Sequence, residues 1–259
     1  MNYDAMVLAG GIPKPGESLY EFTQGGSKAL IEVAGKPMVQ WVLDALGDAK
    51  TVGQVVIVGL DESDGLTCKK KTSYLPNQGG MLENIRGAAR KIAELNPKAD
   101  YVLIVSADIP TIKGEMVDWV SAQVKPNEDE AIYNVIEKSV MEKRFPDSRR
   151  TFTKLKGIEV CGGDLNVVSL PLILSHTGPW EKISEARKSA LKMAMLVGID
   201  TLILFLLRAM TLEQAAARAS RNLGLSARAT LCPYPELGMD VDKARHLEIV
   251  RVDMEGKRA

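Results

Sequence analysis

Ala5-Met6-Val7-Leu8-Ala9-Gly10-Gly11 is an unbroken apolar run that stops at a glycine pair. Continuous apolar residues with no polar alternation suit a strand buried on both faces, as in a parallel sheet covered by helices. Two more such runs follow, Val55–Val58 and Tyr101–Val105, each ending in glycine or polar residues. Between them lie helical patterns. Met38–Leu46 follows Gly35-Lys36-Pro37, with the proline where a helix can begin, and Leu82–Leu95 stops before Asn96-Pro97. Strand and helix in alternation predict βαβ units, hence an α/β fold with a mainly parallel sheet. Ligands of such sheets gather at the carboxyl ends of the strands, so the loops after Ala9, Leu60 and Val105 are the ones to inspect.

Outside this core the chain changes character. Arg149–Leu155 and Ile158–Val160 flank Lys156-Gly157 as a short hairpin would. From Pro171 to Leu225 the composition turns to Ala, Leu, Lys, Arg and Met, which predicts a helical insertion (171–225) stopped by Gly224. A further strand signal, Ala227–Leu231, comes after it, so residues 1–259 are expected to form a single elaborated domain.

The 33 basic and 33 acidic side chains cancel, and a pI near 6.8 offers no general positive field, which argues against a nucleic-acid partner. Cys68, Cys161 and Cys232 are far apart and odd in number, so neither a disulfide framework nor a zinc site is indicated, and a reducing cytoplasm fits. The first residues lack the basic flank and cleavage site of a signal peptide. Met193–Met210 is apolar, but Gly198 and Asp200 interrupt it and it falls short of the roughly 20 residues that span a bilayer. A core helix is expected there; an interfacial or dimerising helix is the minority reading, leaving membrane contact through 193–210 and a homodimer open.

Four segments carry chemistry. Gly10-Gly11 after a buried strand lets backbone N–H groups approach phosphate oxygens, although a glycine pair is also an ordinary turn. Lys28, after the glycine-rich Gly25-Gly26-Ser27, could neutralise a triphosphate or be a solvated loop lysine. Asp108, just past the strand Tyr101–Val105, stands where a hard cation carrying substrate phosphates could be held, or could cap a helix. In Gly238-Met239-Asp240-Val241-Asp242 an extended backbone would turn Asp240 and Asp242 to one side, as metal ligands or as surface ion-pair partners.

In order, Val7-Leu8-Ala9-Gly10-Gly11, Lys28-Ala29-Leu30 with Gly35-Lys36-Pro37-Met38, Asn77-Gln78-Gly79-Gly80-Met81, Ser106-Ala107-Asp108-Ile109-Pro110, Gly162-Gly163-Asp164-Leu165-Asn166 and Asp240-Val241-Asp242 resemble the nucleotidyltransferases related to the molybdenum-cofactor enzymes. The resemblance implies the nucleotide-diphospho-sugar transferase fold, a Rossmann-like three-layer sandwich with a mainly parallel mixed sheet. It implies transfer of NMP from an NTP to an acceptor with release of pyrophosphate, and dependence on Mg²⁺. By the same resemblance Leu8, Ala9, Gly10, Gly11 and Lys28 would meet the triphosphate, Asn77, Gln78, Gly79 and Gly80 the base or ribose, and Asp108 and Asp242 the Mg²⁺. Lys28 and Asp108 would be the catalytic pair. Gly162, Gly163 and Asn166 match the acceptor position, where Arg149, Arg150 and Lys154 could supply charge for an acceptor phosphate.

The chain departs from related sugar-nucleotide enzymes in lacking an arginine of the Gly-x-x-Arg type after the glycine pair: it reads Ile12-Pro13-Lys14-Pro15-Gly16, which leaves Lys14 or Lys28 to stabilise pyrophosphate. His176 and His246 are read as surface or packing residues. CTP, GTP and UTP are all compatible with these residues. Two other readings stay open: a non-catalytic nucleotide-binding regulator, encouraged by the missing arginine, and a glycosyltransferase for which Asp240-Val241-Asp242 would be the DxD.

Overall fold

The computed structural model describes residues 2–175, 198, 201, 204 and 207–256. Among them nine strands form one mixed sheet in the order β5-β4-β1-β6-β10-β7-β9-β8, with β11 also paired to β7. The half that holds the three apolar runs is wholly parallel. It comprises β1 (Tyr3–Leu8), β4 (Val52–Val58), β5 (Lys71–Leu75) and β6 (Tyr101–Ser106). Beyond β6 the direction reverses: β10 (Leu165–Ser169) runs antiparallel to both β6 and β7 (Ala131–Glu137). The hairpin of β8 (Thr153–Leu155) and β9 (Ile158–Gly162) turns at Lys156-Gly157 as expected, with φ +79° at Gly157, and β9 pairs with the far end of β7. The predicted strand Ala227–Leu231 is β11, parallel to β7. A separate two-stranded ribbon joins β2 (Glu32–Val33) to β3 (Lys36–Pro37).

Three layers follow from the period of two in the buried strands. Tyr3, Ala5 and Val7 of β1, Ile57 of β4 and Leu103 and Val105 of β6 face one core, against α2 (Met38–Asp48), α4 (Gly114–Ala122) and α8 (Ala244–Gly256). Met6, Val56, Val58 and Val102 face the other, against α3 (Met81–Leu95) and α6 (Leu170–Leu174). With both faces covered, these strands have no polar face to show, which is why they read as continuous apolar runs.

Of the expected helical insertion, the described parts are α6 and α7 (Leu212–Leu223). Thr211 and Gln214 form a reciprocal cap at the start of α7, and Gly224, with φ +72°, ends it. His176 and most of Met193–Met210 lie outside the described residues.

β1 is the switch point of the sheet. The chain steps outward from β1 to β4 and β5, then returns to place β6 on the other side of β1. A crevice must open where the loops diverge, at the carboxyl ends of β1, β4 and β6. Gly59 holds that crevice tight: it has φ +96°, and a Cβ there would lie 2.5 Å from Gly10 Cα and 2.6 Å from Gly10 N. Gly59→Ala is therefore expected to cost about 2 kcal/mol in urea unfolding. Gly65→Ala, at φ +68° with nothing within 4 Å, should cost only about 1 kcal/mol. Equal losses in the two variants would refute the close approach of the loops.

Candidate active site

The loop after β1 is tied to its neighbours by backbone bonds. Ala9 N donates to Val58 O at 2.8 Å, Lys28 N to Gly11 O at 2.9 Å, and Ala107 N to Leu8 O at 3.2 Å. Side chains add two further ties, Ser27 Oγ to Ala9 O and Asn77 Nδ2 to Gly10 O, each at 3.0 Å. The N–H groups of Gly10 and Gly11 bond to no acceptor among the described residues, so they are available to an anion. Asn77 also accepts from Gly79 N, and Gln78 N donates to Asn84 Oδ1, which fixes the Asn77–Gly80 turn leading into α3.

Two adjoining depressions flank this loop. One of about 520 Å³ is bounded by Gly25, Gly26, Leu60, Asp61, Tyr74 and Asn77, and a smaller one of about 180 Å³ lies over Gly11, Pro13, Lys28 and Asp242. Ile12 belongs to both. The carboxyl ends of β4 and β5 thus bring Leu60, Asp61 and Tyr74 to the larger hollow; the loop after Leu60 is expected there from the strand order, whereas Tyr74 has no signal in the sequence.

Carboxylates converge at the smaller one. Asp108 is buried just past β6; its Oδ1 accepts from Ser106 Oγ at 2.6 Å and its Oδ2 faces Lys28 Nζ at 2.5 Å. Val241 N donates to Asp108 O at 2.9 Å, and this bond draws the carboxyl-terminal segment to the end of β6. Asp242 then reaches Lys28 Nζ at 2.7 Å, so one ammonium bridges two carboxylates. Asp108, Asp240 and Asp242 each offer an oxygen, all within 4.8 Å of one another. An all-oxygen donor set of this kind fits a hard divalent cation. Asp240 is buried and held by the Arg150 guanidinium, which also donates to Asp240 O at 3.3 Å. His246, buried on α8, accepts from Asp242 N at 3.4 Å and so acts in packing.

Electrostatics set these groups apart. Burial, followed by the charges of Asp240 and Asp108, pushes the Asp164 carboxyl up, and burial does the same to Asp240. Burial opposes ionisation of Asp242 too, yet its hydrogen bonds with Asp240 and Lys28 prevail and bring it down to about 2. For Lys28, burial works against the charge, but Asp108 and Asp242 outweigh it and hold the ammonium above its ordinary range. Asp108, Asp240 and Asp242 thus face two cations, Lys28 and Arg150, while Asp164 is held toward its protonated form beside them, leaving a site short of positive charge.

Of the expected acceptor residues, Gly162, Gly163 and Asn166 lie at the ends of β9 and β10. Asn166 accepts from Asn134 N and donates to Gly163 O, both at 2.8 Å, which places Asp164 beside Asp240. Arg149 is exposed with φ +49°, and Arg150 is engaged by Asp240. Lys154 points to a different depression, shared with Glu159 and Arg208. Asp164 and Ser106 went unassigned in the motif reading, although both sit inside quoted motifs, Asp164 next to Gly163 and Ser106 two residues before Asp108.

A model of the MobA-like NTP transferase domain matches residues 5–224. The chain belongs to the MobA-like NTP transferase domain family. That membership makes it a nucleotidyltransferase and sets aside the regulator and glycosyltransferase readings. A solved structure described as a hypothetical transferase from Thermus thermophilus is 35% identical, with a TM-score of 0.81 over 95% of this chain and 100% of that one. A CMP:2-keto-3-deoxy-manno-octonic acid synthetase complexed with CTP gives a TM-score of 0.61 at 14% identity, over 99% and 100% of the two chains. The 4-diphosphocytidyl-2C-methyl-D-erythritol synthase of Anaerococcus prevotii also gives 0.61, at 10% identity over 98% of each. At such identities the last two share the fold of this NTP transferase domain, the Rossmann-like one expected. Comparison with curated proteins finds no match. No helix among the described residues is long and apolar enough to cross a membrane.

Arg150→Met should expose the importance of the buried pair in this family member. Its side chain and that of Asp240 are only 15% and 9% exposed, so losing one partner is expected to cost about 3 kcal/mol in chemical denaturation. Asp240→Asn in the same background should restore part of that loss. An unchanged stability of Arg150→Met would contradict the pairing.

Proposed function

We propose that this protein transfers NMP from an NTP to a small phosphorylated acceptor, a sugar phosphate or a cofactor phosphate, with release of pyrophosphate and with Mg²⁺ held by Asp108 and Asp242. The observation that carries the reading is the bridge from Lys28 to both carboxylates beside the glycine loop, at the switch point of the sheet. Mg²⁺ there would neutralise charge on the substrate phosphates. Asp108 and Asp242 are its ligands in this reading, with Asp240 within reach of the same centre.

Lys28 orients the triphosphate. Once a cation takes over its carboxylates, its ammonium is available to the pyrophosphate leaving group, the role left open by the missing arginine; Lys14, exposed, is its alternate. Leu8, Ala9, Gly10 and Gly11 shape the cradle, with the N–H groups of the two glycines turned to phosphate oxygens. Asn77, Gln78, Gly79 and Gly80, with the larger hollow, receive base and ribose. Gly162, Gly163 and Asn166 border the acceptor, and Arg149, exposed beside Arg150, supplies charge for its phosphate. An acceptor phosphate oxygen is already a nucleophile near neutral pH, so in-line displacement at the α-phosphate needs no general base. His246 is accordingly left to packing.

Two of the fold neighbours carry cytidyl chemistry in their names, which keeps CTP beside GTP and UTP as candidate donors. A thermal-shift screen of the four NTPs with and without Mg²⁺ names the donor, because a selective ligand raises the melting temperature according to its binding. With that donor and a panel of phosphorylated acceptors, Asp108→Ala should abolish Mg²⁺-dependent pyrophosphate release. Lys28→Met should lower kcat by about 100-fold or more while the protein still melts cooperatively. Full activity of Asp108→Ala would end the metal assignment.

A further inference from the structure

Between α7 and the strands β7, β8, β9 and β11 lies a cavity of about 370 Å³ that the transfer reaction so far leaves without a role. Val135, Leu155 and Val160 form its floor, a small apolar cluster of their own, and Ala215, Ala216 and Ala219 of α7 form its roof. Leu212 and Ala215 of α7 pack on this floor, while Ala216 and Ala219, half-buried, border the space left beside them. The one charged lining residue, Arg228, is occupied by Asp129 and by the Gln123 and Thr230 oxygens. The volume falls within the range of about 300–1,000 Å³ typical of small-molecule sites.

This cavity shares a wall with the carboxylate cluster. Cys161, Gly162 and Tyr133 line it. The Tyr133 hydroxyl lies directly on Gly162, 2.1 Å from where a Cβ would stand. Gly162 O and Cys161 Sγ lie 3.2 and 3.4 Å from the Cβ position of Gly238, two residues before Asp240. The charges of Asp164 and Asp240 in turn help, after burial, to push the Tyr133 phenol up. A molecule whose phosphate met the Asp108 and Asp242 centre could therefore extend past Gly162 into an apolar space.

We propose that this cavity seats a hydrocarbon chain attached to the acceptor phosphate, so that the acceptor is a phosphorylated amphiphile such as an alkyl or isoprenyl monophosphate. A sugar here would leave hydroxyls desolvated against alanine, leucine and valine, which costs free energy for each unpaired group, whereas a hydrocarbon chain loses nothing by leaving water. The reaction balances without a further reagent. An oxygen of the acceptor monophosphate bonds to the α-phosphorus of the NTP, the bond from that phosphorus to the bridging oxygen breaks, and pyrophosphate departs with the electron pair. This assignment rests on the nucleotidyltransferase reading for the reaction; for the acceptor it departs from the sugar or cofactor phosphate of that reading, on the cavity alone.

Calorimetry with decyl phosphate below its micelle concentration, and with glycerol 3-phosphate as the chainless control, tests it. The full-length protein should bind decyl phosphate at least tenfold more tightly than the control. Ala216→Phe and Ala219→Phe, which fill the cavity from its roof, should each weaken decyl phosphate at least tenfold and leave the thermal shift with NTP and Mg²⁺ unaltered; whichever variant melts cooperatively carries the comparison. Equal affinity for the two phosphates, or decyl phosphate binding untouched by a folded filling variant, overturns the assignment. Chain-dependent binding that the filling variants abolish, in a protein showing no thermal shift with any NTP, supports the cavity and refutes the nucleotidyl reading instead.

Discussion

A single ammonium between two carboxylates joins the two ends of this chain. Lys28 follows the first loop and Asp242 precedes the last helix, 214 residues away, yet both meet Asp108 at the end of the central strand. Asp108 is buried and Lys28 largely so, with Asp242 at the exposed rim, and a charge withdrawn from water is unfavourable unless a partner neutralises it. The site therefore exists only when the glycine loop, the end of β6 and the carboxyl-terminal segment are all in place. The backbone bond from Val241 N to Asp108 O does the same work without charge, and it fixes the direction from which Asp242 arrives.

Around that junction the protein divides its labour between strand ends. β1 and β6 present the glycine loop and the first carboxylate, β4 and β5 open the larger hollow, and the reversed strand β10 brings Asp164 behind Asp240. Charge is left unbalanced on purpose of geometry rather than composition: the chain as a whole is neutral, whereas the site holds more carboxylates than cations. A local excess of this sort attracts a divalent cation without giving the surface a field that would draw nucleic acid. Arg150 illustrates the same economy of space. Its position in the sequence suits an acceptor phosphate, but the fold gives it to Asp240, because a buried carboxylate without a partner would be costlier than a surface arginine without one.

What the sequence by itself determined was the set of local elements and the loops between them. β1, β4 and β6 announce themselves as apolar runs, α2 and α3 by period and proline, the hairpin by Lys156-Gly157, and β11 as a strand signal after the helical stretch. Each is decided within about a dozen neighbouring residues, so a linear reading reaches it. β5, half-buried at the edge as Lys71-Thr72-Ser73-Tyr74-Leu75, lacks such a signal, and β10 hides inside a glycine motif. The positions of Gly10, Lys28, Asp108 and Asp242 could be named along the chain, but their meeting could not. Which aspartate holds Lys28, which is neutralised by Arg150 and which is pushed toward its protonated form were decided only by the tertiary structure. Those outcomes depend on burial and on charges brought together from distant parts of the chain, and both are properties of the packed molecule rather than of any stretch of it.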